Sequence, residues 1–262
     1  MELALTIFLT LIAILLIIFV FTSRRRKPQK LDTLPQSYRR ILQENVPFYQ
    51  NLSPDKKKEF ETRMSHFLSH TRITGVKTQL DDIDHVYIAA SAIIPIFGFP
   101  WWEYTNLNEV LVYPDSFDHE FRQTGSDRNI LGVVGEGAYH RVMIISQHQL
   151  RQAFVNKTGK DNTAIHEFVH LIDKSDGHVD GIPEVFMDKQ YIVPWLRLMR
   201  TEIEKILENR SDIDPYGAHS EAEFFAVVSE YFFERPELLE EKNPELFKLL
   251  AEVFKQKPPR RN

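Results

Sequence analysis

The chain has 262 residues, of which 43% are hydrophobic and 26% charged, with a net charge of −5 and no cysteine. This composition suits a folded globular protein and argues against a disordered chain, while the acidic balance gives no electrostatic footprint for nucleic acid. Without cysteine there is no disulfide framework, thiolate metal site or thiol nucleophile, so a metal would have to rest on His, Asp and Glu.

Leu3–Thr22 is a run of 20 uncharged, mostly aliphatic residues. As a helix it spans roughly 30 Å, the thickness of a bilayer's hydrocarbon core. Arg24, Arg25, Arg26 and Lys27 follow it directly, whereas a cleaved signal peptide carries its positive charge before the apolar run. The positive-inside rule places that cluster in the cytoplasm. The expected organisation is an anchor over 1–23, a basic juxtamembrane tether over 24–35, one catalytic domain over 36–256 and a basic tail over 257–262.

Helices are expected over about Ser37–Asn45 and, opened by Ser53-Pro54-Asp55, to about His70, with Phe60, Met64 and Phe67 at helical spacing. Strand-like runs follow at Val86–Ala90, Glu109–Tyr113, Ile130–Val134 and Val142–Ser146, separated by turns such as Pro114-Asp115-Ser116. Val142–Ser146, next in order to the helix that follows, is the candidate edge for an extended substrate. Helical patterning returns over Thr163–Lys174, Pro194–Leu207, Glu221–Phe233 and Pro244–Lys255. Helices flanking a small sheet make the expected class α+β. The Trp101-Trp102 pair reads as core or a loop, and the remaining histidines as surface or hydrogen-bonded residues.

His166-Glu167-Phe168-Val169-His170 carries the chemistry. Residues four apart share a helix face, so both imidazoles can reach one ion. Glu167 lies about 100° round from His166, beside the ion rather than on it, where a general base for an attacking water must stand. A third ligand and one open position complete a catalytic zinc site. Asp176 stands six residues after His170, but Asp173 occupies the position where the metzincin pattern needs glycine. His178 follows a Ser-Asp-Gly segment with no supporting spacing. Glu223 lies 53 residues on, as a ligand from a separate helix requires; it also fits a capping box with Ser220. Glu221 and Glu230 remain alternatives.

The segments His166–Asp173, Asp176-Gly177 and Asp180-Gly181-Ile182-Pro183, together with Ala222–Phe233, resemble the Mlc titration factor A family of zinc peptidases, from about Pro35 to Phe254. The resemblance implies a gluzincin: a zincin-like catalytic domain with a small sheet and a core similar to that of anthrax lethal factor. It implies Zn2+ as cofactor, Glu223 as third ligand beside His166 and His170, and a tyrosine seven residues earlier, here Tyr216, near the metal. Tyr216 would then stabilise the oxyanion on the scissile carbonyl, and Asp173 would orient a ligand histidine. The expected activity is that of a membrane-anchored, cytoplasm-facing metallopeptidase acting on peptide or protein substrates, of aminopeptidase type by family. The alternative implied by the family is sequestration of a transcriptional repressor of the Mlc type. A closed structural zinc site is a blander third possibility, for which a fourth ligand is wanting.

Overall fold

The computed structural model describes residues 33–117, 131–135, 141–156 and 158–259. The expected anchor and nearly all of the tether lie outside them, and among the described residues no helix is long and apolar enough to cross a membrane. The described residues open with α1 (Gln36–Asn45), a single turn over Pro47–Gln50, and α2 (Pro54–His70). Ser53 starts α2 as its sequence suggests, its Oγ accepting the Lys56 amide at 3.4 Å, with Pro54 in the first turn where no amide is needed. Phe60, Met64, Phe67 and Leu68 form its buried stripe.

A short strand, β1 (Arg72–Gly75), leads into α3 (Asp82–Ile96). Val86–Ala90, expected as a strand, is the middle of this helix. Every residue from Val86 to Ile96 is buried, so the sequence shows neither a period of two nor one of 3.6. The helix declares itself at its start, where the Asp81 amide donates to Asp84 Oδ2 at 2.9 Å. Its far end is closed by Arg63, whose guanidinium donates to the carbonyls of Ile96, Phe97 and Phe99 at 2.9–3.2 Å. Asp84, fully buried, ties α3 to α4 (Gln147–Val155): it accepts Arg151 Nε on Oδ1 at 2.7 Å, and Arg151 Nη2 and Gln147 Nε2 on Oδ2 at 2.7 and 2.8 Å.

Among the described residues the sheet has four strands in the order β1, β2 (Glu109–Tyr113), β4 (Val142–Ser146), β3 (Gly132–Val134). The first three are parallel; β3 runs antiparallel to β4, with Gly132 opposite Ile145. Val142–Ser146 is therefore an inner strand with neighbours on both sides, and among the described residues the sheet edge near the site is β3 instead. The observed β3 is shorter than the expected Ile130–Val134, whose Ile130 lies outside the described residues. A helical layer covers the sheet: α3 packs on both α4 and α5 (Thr163–Asp173), and α5 reaches β3 and β4. The remaining helices are α6 (Lys189–Leu207), α7 (Glu221–Glu234), α8 (Pro236–Lys242) and α9 (Pro244–Val253). Helix α6 starts five residues before Pro194, where the sequence suggested its beginning. Helix-rich α+β architecture with a small sheet is as expected.

Candidate metal centre

The site is built where α5 packs on α7. Asn162 caps α5, its Oδ1 accepting the Ile165 amide at 3.2 Å. Ala164, Ile165, Phe168, Val169, Leu171 and Ile172 are buried around the helix, which seats it in the core and fixes the rotation of its remaining face. That face carries His166 and His170 toward α7. Ser220 caps α7 through the Glu223 amide at 3.1 Å, but the Glu223 carboxylate does not complete the box. It turns to the histidines, with Oε2 2.9 Å from His166 Nε2 and 3.4 Å from His170 Nε2. One residue thus answers to both patterns, its backbone serving the cap and its side chain the cluster.

The two Nε2 atoms stand 3.0 Å apart, and one ligand atom from each of His166, His170 and Glu223 lies within 4.8 Å of the others. Among the described residues this is the one such group of three. His66 and His70 repeat the four-residue spacing on α2, and Glu103 stands 3.0 Å from His66 Nε2, but His70 Nδ1 is turned onto the His66 carbonyl at 2.8 Å and the three do not converge as a ligand group. Asp176 is spent on the amides of His178 and Glu184, and His178 is exposed, so neither joins the cluster.

Glu230 lies behind the histidines, two turns along α7 from Glu223. Its Oε1 is 2.6 Å from His166 Nδ1, and its Oε2 accepts the Asn162 amide. With Nδ1–H given to Glu230, the Nε2 lone pair of His166 points into the cluster. Asn162 also donates its side-chain amide to Glu234 at 2.8 Å, so one buried asparagine caps α5 and holds it to α7. The carboxylate of Asp173 accepts the Gly181 amide on Oδ2 at 3.0 Å and has no partner on Oδ1; the carboxylate on His166 Nδ1 is that of Glu230. Gly181, at φ +73°, runs against the Glu221 carbonyl, so close that a Cβ would stand 2.3 Å from it. Glu221 itself is exposed.

The electrostatics fit a cluster built to hold positive charge. Burial alone would lower the His166 pKa, yet Glu230 and Glu223 hold it well above the ordinary value. Burial would raise Glu223, but hydrogen bonds from both histidines keep it well below the usual carboxylate range. Two imidazoles and a carboxylate converging on one point are a donor set suited to zinc. Glu167 is 5% exposed and burial pushes its pKa up, an effect the histidines oppose and the neighbouring glutamates reinforce. Its carboxylate lies against Gly132 of β3.

Tyr216 sits in a 3-10 turn, Pro215–Ala218, started by Asp214 through the Tyr216 amide at 2.8 Å. The tyrosine is 49% exposed and its ring centroid is 6.0 Å from that of His166. Burial, then Glu223 and Glu167, raise its pKa, which keeps the phenol protonated and able to donate. A cavity of about 470 Å3 opens on this group, lined among others by Gly132, His166, Glu167, Tyr216, Val227 and Tyr231.

Four residues of this arrangement went unweighed or misassigned at the level of sequence. Asn162 carried a readable signal as a capping residue before the HExxH helix. Glu230 appeared only as an alternative ligand. Glu234 and Gly132 gave none, because their roles depend on which helix and strand face each other.

The model of the family described as glucose-regulated metallo-peptidase M90 matches residues 20–255. An uncharacterised protein of Synechocystis sp. is 29% identical over 238 residues, 86% of each chain. The Mlc titration factor A of Pectobacterium atrosepticum is 28% identical over 230 residues, 82% of this chain and 84% of the relative. That of Escherichia coli strain 55989 is 26% identical over 234 residues, 83% and 85%.

Proposed function

The chain belongs to the glucose-regulated metallo-peptidase family M90, and from that premise we propose that it is a zinc peptidase hydrolysing peptide bonds with Glu167 as general base. The observation that carries this reading is the convergence of His166, His170 and Glu223 beside a buried glutamate on the wall of a cavity. Zinc bound by those three residues supplies a Lewis acid that polarises the scissile carbonyl and acidifies a water. Glu167 takes the proton of the attacking water and passes it to the leaving amine, and its burial beside the cluster raises its pKa. Tyr216 donates its phenolic proton in a hydrogen bond to the oxygen that gains charge on the carbonyl. Glu230 fixes the ring of His166 through Nδ1. Strand β3, at the sheet edge beside Glu167, offers backbone groups to an extended peptide.

The run Leu3–Thr22 and the basic residues after it support a single-pass anchor with the catalytic domain in the cytoplasm. The test is turnover of a mixed peptide library by the full-length, zinc-loaded chain in detergent, beside its Glu167→Gln variant. Cleavage by the parent and none by the variant, with zinc retained in both, is the expected result, and the cut sites distinguish amino- from endopeptidase action. Turnover retained in the variant would overturn the mechanism. A second reading comes from the relatives named Mlc titration factor A: the chain binds a repressor of that type through its surface. Repressor capture unaffected by His166→Ala would favour it.

A further inference from the structure

Gly132 opens β3, and its backbone is not in the left-handed region that calls for glycine; among the described residues the glycines with positive φ are Gly177 and Gly181. Space, not conformation, requires it. A Cβ at Gly132 would stand 2.6 Å from Oε1, 2.7 Å from Cγ and 2.9 Å from Cδ of Glu167, distances that real Cβ atoms do not adopt. The strand cannot withdraw easily, because it is pinned to β4 on both sides of the contact: Ser146 donates its amide to the Leu131 carbonyl at 2.9 Å and Gly135 to the Val142 carbonyl at 2.8 Å. The yielding partner is the end of the Glu167 side chain, which can turn about its own bonds at little cost to the fold.

We propose that Gly132 is a positioning residue, whose missing side chain is the seat of the Glu167 carboxylate and sets where the base stands over the cleft. This rests on the reading of Glu167 as general base. The three atoms nearest a methyl group at 132 all belong to Glu167, so that side chain is the one it displaces. Because a displacement of about 1 Å from reacting geometry can cost on the order of 100-fold, the loss falls on kcat.

The experiment compares the full-length, zinc-loaded parent with Gly132→Ala, Glu167→Asp and the double variant, on a peptide that the parent cleaves. Gly132→Ala is expected to lower kcat about 100-fold, with KM, zinc content and melting temperature unchanged. In the Glu167→Asp background, where the side chain is one methylene shorter, the same alanine is expected to cost less than about 5-fold, a non-additivity that marks direct contact. Equal losses in both backgrounds, full activity of Gly132→Ala, or loss of zinc from it would overturn the proposal. If Gly132→Ala melts early, the Gly132→Ala/Glu167→Ala protein should regain the parent's melting temperature, and failure to do so would also overturn it. A parent whose turnover survives Glu167→Gln would instead sink the underlying reading.

Discussion

Two carboxylate clusters tie helices of this fold to one another, and they are built on opposite plans. At Asp84 the carboxylate meets a guanidinium, a glutamine amide and a backbone amide; burial would raise its pKa, but those bonds hold it below the ordinary value. Arg151 is always charged, so the cluster is closed and needs nothing from solution. At Glu223 and Glu230 the side chains that face the carboxylates, among the described residues, are imidazoles. An imidazole, unlike a guanidinium, can give up its proton to a metal ion, so the positive charge there is exchangeable. A permanent cation makes a buried acid into scaffold; an exchangeable one makes it into a place where an ion can sit.

The sharpest way to break that contrast is to empty the exchangeable cluster. Chelation should abolish peptide turnover by at least about 1,000-fold, the scale of several kcal/mol of metal stabilisation. Added zinc should restore the parent but not Glu223→Ala, and restoration of that variant would remove Glu223 from the ligand set. The closed cluster should respond in the other currency. Arg151→Ala leaves Asp84 buried with its main counter-charge gone and should cost about 3 kcal/mol in denaturant unfolding while zinc content stays stoichiometric. An unchanged midpoint would mean that the pair is not a tie.

Next in size is Glu230→Gln, which keeps the shape beside His166 but weakens the acceptor on Nδ1. Zinc affinity should fall about 10- to 100-fold in competition with a chromophoric chelator, with the melting temperature of the metal-free protein held. Unaltered affinity would place Glu230 in the scaffold with Asp84. The smallest effect is expected at Asp173, where burial lifts the pKa from 3.8 to about 6. Between those values the unfolded chain has released this proton and the folded chain has not, so stability falls as pH rises across the window. Asp173→Asn keeps an acceptor for the Gly181 amide and should flatten the slope, gaining about 3 °C at pH 7 in the metal-free protein. Parallel melting curves for the two proteins would show that Asp173 carries no such penalty.

The pieces legible in the sequence were local ones. His166, Glu167 and His170 are fixed relative to one another by a single turn of helix, so their spacing is already a geometry. Glu223 is 53 residues away, and its pattern served a cap and a ligand equally; only family resemblance chose, and the fold uses it for both. Glu230 and Asn162 gain their meaning from the packing of α5 on α7, which no spacing encodes. The misreading of Val86–Ala90 has a similar cause: a helix buried on all sides loses the periodicity by which helices are recognised, and its signal shrinks to the Asp81–Asp84 start. Strand β1 is four residues with Arg72 at one end and Gly75 at the other, too brief for alternation to show. Gly132 could not be flagged, since a glycine near a turn is ordinary until the side chain opposite it is known.

That the three converging side chains come from two helices has a consequence for the lifetime of the protein. Ion binding at His166, His170 and Glu223 is at the same time docking energy for α5 against α7, and it accrues to the folded state alone, in proportion to the logarithm of free ion over its dissociation constant. At 100 times that constant the gain is about 2.7 kcal/mol, enough to reduce the unfolded population roughly a hundredfold. Abundance in the cell would therefore follow metal supply through degradation of the transiently open chain, before any change in catalytic rate is considered.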